Sequence, residues 1–579
     1  MMSEPTASRD FDELVSWAES HGGYCCPALA FSKSEKSGST AYAKGAIPDA
    51  NTRLLSCPVS LIIDYDKAAT QIWGDRQSCP FAGSPQIAIR LFLCMQRILG
   101  RQSPWSAYIS LLPTQFDTPL YYDHEEMEML RGTNIFGEVE LRRQAWMEEW
   151  KRGVMYLPSQ FDKSLVSWDM YMWACTVLSS RSFPSRIVFN TGSDDDEDSY
   201  PVLIPLVDSL NHKPLEPINW TVTPDEFSIS SGKDIGAGDE IFNNYGPKGN
   251  EELLMGYGFC LENNPLDVVT LKVRHPLMSM EKVELLSLKG NAESTFHLSE
   301  SEPLPSDLVQ FFRVIAANEQ ETLQMLSASA GATATATLRC ELDGLGKLYN
   351  AVELKLRAIS VREDETANAS ARQRNSMIYV SQQAKILSRA LLAIVRAMYS
   401  ELGIQQEAAE DCPGGSSTQD LAYIRSRFYQ HLPEYGFNLE LVLNPGGRFS
   451  EFASVIKQGF DVTSASDVRA ADIEDQVLVL FVCHLLISGA TAGGDYANWL
   501  RSMQQRYNTD EVLDEEFVED FESMYDAYIP VLAELHSDMF GSAQWSARLL
   551  AWAGKVVDHE GVVVQNCEDD RPEYWIIAV

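Results

Sequence analysis

The stretch "NNYGPKGNEELLMGYGF", Asn243 to Phe259, sets a Tyr-Gly pair on either side of a Pro-Lys-Gly-Asn turn. It follows the polar segment "KDIGAGDEI" (Lys233 to Ile241). The pattern predicts a strand, a turn through Pro247 and Gly249, and a helix whose last turn carries an aromatic residue. Two readings fit it. The aromatic residue at the helix end packs in the core, or both phenolic hydroxyls line one small site.

Outward from this stretch the chain divides by pattern. From Phe11 to about Asp64 it reads as a short helix followed by strands, among them "AYAKGAI" and "RLLSCPVSLII". From about Pro85 to Arg181 it is helical, with Ile87, Ile89, Leu91, Phe92, Met95 and Leu99 mostly on one helical face. The acidic run Asp194 to Asp198 reads as a solvated loop, because like charges at this density repel. Short strands follow in "YPVLIPLVDSL", "INWTVT", "EFSISSG" and "DEIFNNYG". From about Asn263 onward the chain is mainly helical, including a long amphipathic helix in "SMIYVSQQAKILSRALLAIVRAMY" (Ser376 to Tyr399). Ser327 to Thr337 and Asp411 to Thr418 read as low-complexity connections. The two strand blocks are expected to share one sheet system, closed around a helical insertion the length of a small domain.

The chain has 579 residues, which predicts two or three domains, and a formal charge of −36. That charge argues against nucleic acid as a direct ligand, since phosphate binding needs concentrated Lys and Arg. It fits a basic protein partner, and equally a surface that keeps a large protein soluble. Eleven cysteines without a spaced framework, Cys25 and Cys26 adjacent, point to free thiols in a reducing compartment. The start "MMSEPTASRDFDELVSW" shows no secretory pattern, and the longest apolar run, from Val477, is too short for a bilayer and carries His484. A cytoplasmic protein, or one also nuclear, with no membrane contact is expected. The short motifs for nucleoside triphosphates, dinucleotides, a nucleophilic serine and zinc are all missing, so no metal is expected.

Four stretches remain: "GSTAYAKGAI" (Gly38 to Ile47), a small-residue turn entering a strand; "SSRSF" (Ser179 to Phe183); "IPLVDSLNHKP" (Ile204 to Pro214); and the stretch quoted first. Together they resemble the SET-domain protein methyltransferases. Within these they are most similar to the class of the Rubisco large-subunit methyltransferase, which includes fungal enzymes acting on lysines of ribosomal proteins and elongation factors. The specific signal is Asn211-His212 followed some thirty residues later by "EIFNNYG" and then "NEELLMGYGF". "SPWSAYISLLPTQFDTPLYY" (Ser103 to Tyr122) and "WACTVLSSRSF" resemble further signatures of the class, and "QRNSMIYVSQQAKIL" (Gln373 to Leu387) resembles a helix of its substrate-binding domain.

The resemblance implies an α+β fold. Small β-sheets with knot-like threading form a SET domain over residues 1–65 and 191–262, interrupted by a helical insertion at 66–190. A helical, substrate-binding-like region follows at 263–579. It implies S-adenosyl-L-methionine as cofactor and protein-lysine N-methylation of a basic, non-histone protein, an elongation factor or ribosomal protein. Histidine methylation and a non-catalytic binding module are the alternatives. Tyr245 is implied as the catalytic residue. Arg181 matches the cation for the cofactor carboxylate, although pairing with a nearby acid is the plainer role for such an arginine. Asn211 and His212 match the cofactor-holding pair, and His212 alone would read as a hydrogen-bonded structural histidine. Asp208 orients that turn and is counted with the cofactor contacts. Tyr257 and Trp220 are the candidate substrate-binding residues, each with a core role as the other reading. The class usually has Gly-x-Gly at the first stretch; here Thr40 stands in the place of the second glycine, where a bare backbone approaches the cofactor.

Overall fold

Short runs of β-branched and aromatic residues, alternating in burial, build the sheets of the first half; Ile218–Val222 and Glu240–Asn243 both alternate. The computed structural model describes residues 9–34, 38–189, 199–273, 278–288, 294–329, 337–359, 369–402, 418–489, 496–507, 515–565 and 572–578. The acidic run at 194–198 lies outside them, as do 330–336 and 411–417 of the two low-complexity stretches. The chain forms two units, Met1–Val268 with Arg357–Ala384, and Val269–Leu356 with Lys385–Val579.

In the first unit ten strands are described: β1 (Tyr24–Cys25), β2 (Leu29–Ser34), β3 (Gly38–Ala43), β4 (Arg53–Pro58), β5 (Phe183–Pro184), β6 (Pro201–Val202), β7 (Asn211–His212), β8 (Ile218–Val222), β9 (Glu226–Ser231) and β10 (Glu240–Asn243). One sheet runs β1-β4-β9-β8 and another β2-β3-β10-β7. Strands from both sides of the helical segment therefore pair directly: Leu55 of β4 faces Ile229 of β9, and Ala41 of β3 faces Ile241 of β10. The parallel pair β10–β7 sets Phe242 against Asn211 and Asn243 against His212. This register brings the Asn-His dipeptide beside the tyrosine stretch.

The insertion helices include Pro85–Leu99, Asn134–Met155 and Trp168–Arg181. The last begins at Ser167, whose hydroxyl accepts from the Met170 amide, and buries Tyr171, Trp173, Ala174, Cys175, Val177 and Leu178. It ends at Arg181: Ser182 turns extended (φ −77°, ψ 154°), and Pro184 holds Phe183 out of the helical region. Arg181 thus sits on the last turn of a buried helix.

Two local expectations are corrected. Gly38 to Thr40 is not a turn entering a strand but the first half of β3, since Thr40 pairs with Ser32 in β2 and the strand also pairs with β10. "YPVLIPLVDSL" is mostly not a strand. After β6 and a bridge from Leu203 to Ile63, Pro205 lacks a donor and Leu206 takes φ +73°, so the chain breaks into a turn at Val207–Ser209.

The second unit is mainly helical around a core that includes Phe437, Phe452, Phe481, Trp499, Phe540 and Trp552. The apolar run from Val477 lies in the Glu474–Ile487 helix, buried along nearly its whole length. Arg339 pairs with Glu321 in a buried ion pair. Beyond residue 417 the helical expectation misses a sheet of β13 (Gly436–Asn438), β15 (Pro572–Ile577) and β14 (Gly561–Gln565), in that order, while β11 (Val268–Lys272) and β12 (Thr295–Ser299) form a pair earlier. Every described cysteine is a free thiol, and no described helix is long and apolar enough to cross a membrane.

Candidate active site

Where β10 ends, the backbone is fixed by side chains from β7 and β8. Asn243 is buried, and its Oδ1 accepts from Trp220 Nε1 (3.1 Å) and from the Asn244 amide (2.8 Å). The Tyr245 amide donates to His212 Nδ1 at 3.0 Å. Because a backbone N–H is always the donor, Nδ1 is the unprotonated nitrogen and the neutral ring carries its proton on Nε2. Gly246 then turns the chain at φ +97°. The Tyr245 hydroxyl donates to the Leu210 carbonyl at 2.7 Å, which commits its proton and leaves the oxygen able to act only as an acceptor.

The ring of Tyr245 stacks with His212 (centroids 4.9 Å, 23°) and with Tyr257 (5.0 Å, 27°). Tyr257 is the last residue of the Asn250–Tyr257 helix, which Gly258 closes in the left-handed conformation. Arg181 Nη1 donates to the Asp208 carbonyl at 3.0 Å and lies 3.6 Å from Asp208 Oδ2. Oδ2 also accepts from the Tyr108 hydroxyl at 2.6 Å. A cavity of about 60 Å³ is lined by Ser180, Arg181, Ser182, Phe183, Pro184, Asp208, Trp220, Asn243, Tyr245 and Tyr257. Four aromatic rings, those of Phe183, Trp220, Tyr245 and Tyr257, stand in its wall.

Burial dominates the electrostatics. It raises the Tyr245 phenol above its usual value against the opposing pull of Arg181, and with Glu252 it raises Tyr257 to about 12. Both tyrosines are neutral at physiological pH. Burial, with Lys248 nearby, lowers His212 to about 4, so the ring is also neutral. Burial raises Asp208 too, while Arg181 and Tyr108 pull it back. Two polar atoms here are buried without a hydrogen-bond partner, Asp208 Oδ1 and His212 Nε2.

Of the eight residues singled out from the sequence, Arg181, Asp208, Trp220, Tyr245 and Tyr257 line this one cavity. Thr40, Asn211 and His212 do not line it. Asn211 Nδ2 instead donates to Glu240 Oε1 (2.8 Å) and approaches Thr40 Oγ1 (3.5 Å), within the sheet formed by β3, β10 and β7. His212 supports the cavity from behind, through its contacts with Tyr245. Arg181 does pair with an acid, Asp208, yet it still faces the cavity. Sequence reasoning missed Asn243, Phe183 and Tyr108 as site residues. All three stand inside quoted stretches; Tyr108 bears on the site through its contact with Asp208, a hundred residues away.

Residues 276–394 match the family described as Rubisco LSMT substrate-binding. The chain is 30% identical over 453 residues to "Ribosomal lysine N-methyltransferase set10" of Schizosaccharomyces pombe, covering 75% of this chain and 77% of that protein. It is 22% identical over 601 residues to "Protein-lysine N-methyltransferase EFM1" of Saccharomyces cerevisiae, covering 95% of each. "Actin-histidine N-methyltransferase" of Gallus gallus is 26% identical over 330 residues, 55% of this chain and 54% of that one. The SET domain of LSMT, solved with methyllysine and AdoHcy, superposes with a TM-score of 0.58 at 20% identity, over 72% of this chain and 99% of that one. With that fold, and with 30% identity extending over 75% of its length to a fungal methyltransferase, this chain belongs to the SET-domain protein methyltransferases of the Rubisco large-subunit methyltransferase-like class.

Proposed function

We propose that the chain is a protein-lysine N-methyltransferase that takes its methyl group from S-adenosyl-L-methionine. The lysine it modifies belongs to a basic protein of the translation apparatus, an elongation factor or ribosomal protein, met in the cytoplasm. The observation that carries the reading is the neutral Tyr245 hydroxyl, fixed by donation to the Leu210 carbonyl, in a ring-walled cavity shared with Arg181.

The residues present fit the cofactor. Arg181 presents a guanidinium to the cavity, and His212 Nε2 and Asp208 Oδ1 are buried polar atoms still lacking a partner. Bound S-adenosylmethionine supplies an electrophilic methyl group on a sulfonium. Arg181 holds a carboxylate with its fork of donors. Asn211, His212 and Asp208 shape the adjoining turn, and Thr40 lies against it through Asn211. Tyr245 presents a neutral oxygen whose proton is already committed, so that its dipole is preorganised and takes no part as a base. Tyr257 and Trp220 wall the approach of an aliphatic side chain and exclude water from it. In such surroundings an incoming lysine loses its proton more readily than in water, because desolvation disfavours the ammonium. The formal charge of −36 attracts a basic protein over distance.

The test is transfer of labelled methyl to proteins of a lysate lacking the enzyme, followed by mass spectrometry of the labelled band. Methyllysine in one protein of the translation apparatus is the expected result. Methylhistidine would give the site to the histidine chemistry named for the actin-directed relatives. Absence of any labelled band, together with no calorimetric binding of S-adenosylmethionine, would favour a binding module.

A further inference from the structure

The first turns of the Ala371–Glu401 helix reach the corner that carries Tyr257, although they follow it by more than a hundred residues. Asn375 Nδ2 donates to the Gly258 carbonyl at 3.1 Å, and its Oδ1 accepts from the Cys260 amide at 3.0 Å. One side chain therefore clasps the backbone on both sides of Phe259, directly after Tyr257. The chain at Asp117 and Thr118 also lies close against Gly258, where an added Cβ would lie 2.7 Å from the Asp117 carbonyl carbon. Arg372, three residues before Asn375, ties that strip to the same helix. Its Nε meets Asp117 Oδ1 and its Nη1 meets Glu126 Oε2, both at 3.0 Å, and its Nη2 donates to the Phe116 carbonyl at 3.0 Å. At the other end of the Tyr257 helix, the Tyr379 hydroxyl donates to Glu251 Oε2 at 2.8 Å.

We propose that Asn375 is a positioning residue for the methyl-transfer site, setting the ring of Tyr257 against Tyr245 by clasping the corner at Gly258 and Cys260. The inference rests on the reading of Tyr257 as a wall of the lysine channel. Asn375 itself touches no reacting atom. Without the clasp, the corner keeps the Gly258 amide bonds to the Leu253 and Leu254 carbonyls and the Asn250–Leu261 pair beyond it, but it loses its tie to the Ala371–Glu401 helix, and its terminal ring gains freedom to tilt. A small misplacement of a substrate-orienting wall lowers the rate without changing cofactor affinity, because Tyr257 walls the lysine and the separate side chain of Arg181 holds the cofactor carboxylate.

The experiment compares wild type, Asn375→Ala and Gln383→Ala. Gln383 lies on the same helix and donates to the Val268 carbonyl at 2.8 Å, away from the corner. Two quantities are read: methyl transfer at saturating substrate, with S-adenosylmethionine affinity measured in parallel, and amide exchange over residues 257–260. Asn375→Ala should lower kcat about tenfold, leave cofactor affinity within about twofold, and speed exchange at the corner about tenfold. Gln383→Ala should lower the thermal midpoint and leave kcat and the corner's exchange unchanged. If the alanine variant fails to fold, Asn375→Asp is read the same way, as it keeps the bond from Cys260 and removes the one to Gly258. Unchanged exchange at 257–260, or equal losses of kcat in the Asn375 and Gln383 variants, would overturn the proposal. A wild-type protein without methyl transfer would sink the function reading instead, and the exchange measurement would still decide the clasp.

Discussion

Two Tyr-Gly corners stand twelve residues apart in this chain, and both glycines have positive φ, +97° at Gly246 and +82° at Gly258. Their surroundings differ. A Cβ built on Gly246 meets nothing within 4 Å, whereas one on Gly258 lies 2.7 Å from Asp117 and 2.8 Å from Thr118 backbone atoms. Tyr245, at the strand end, is held by hydrogen bonds from its amide and its hydroxyl. Tyr257, at the helix end, is followed by a backbone that is hemmed in by neighbouring segments. One ring is thus fixed through its own amide and hydroxyl, and the other through the backbone that follows it, clasped by Asn375 and crowded by Asp117 and Thr118, and the two rings meet face to face at 5.0 Å.

The sharpest way to break this contrast is to add one methyl group at each corner. Gly258→Ala meets both the dihedral penalty and a backbone clash, and should cost about 3 kcal/mol or more in urea unfolding. Gly246→Ala meets the dihedral penalty alone and should cost about 1 kcal/mol. Equal losses would erase the distinction. A smaller effect is expected at the cation. Arg181→Lys keeps the charge beside Asp208 but loses the planar fork, and should weaken S-adenosylmethionine binding about tenfold by calorimetry.

The last effect appears only on acidification and concerns His212 behind the strand-end tyrosine. Its pKa falls from 6.5 to about 4 on folding, so the unfolded chain binds the proton more tightly than the folded one. Its neutral form therefore supports the fold fully above pH 6.5, and that support is lost as pH falls from 6.5 toward 4. The loss amounts to at most about 3 kcal/mol, and urea unfolding of His212→Gln should show a shallower decline across the same window. Parallel declines would remove His212 from the titration.

What was legible in the sequence follows the range of the forces. The strand–turn–helix from Glu240 to Tyr257 could be read because turn residues and helical spacing act locally. Arg181 could be placed at a helix end because Pro184 stops the helix close behind it. Gly38 to Thr40 reads as a turn by its small residues, yet pairing with Ser32 to Ser34 of β2 makes it a strand. The Tyr108–Asp208 bond and the Asn375 clasp join segments a hundred residues or more apart, and nothing local announces them. The sheet of β13, β15 and β14 escaped a helical reading of the region, although "GVVVQ" and the "YWII" of Tyr574 to Ile577 carry the β-branched and aromatic residues that favour strands.

The proposed methyl transfer in this cavity depends on a neutral Tyr245 hydroxyl whose proton is committed to the Leu210 carbonyl. Single-turnover transfer by wild type and Tyr245→Phe, on the protein labelled in the lysate, tests it most directly. The variant should fold, bind S-adenosylmethionine within about threefold of wild type, and transfer methyl at least about a hundredfold more slowly. A variant that transfers methyl at the wild-type rate would contradict this dependence.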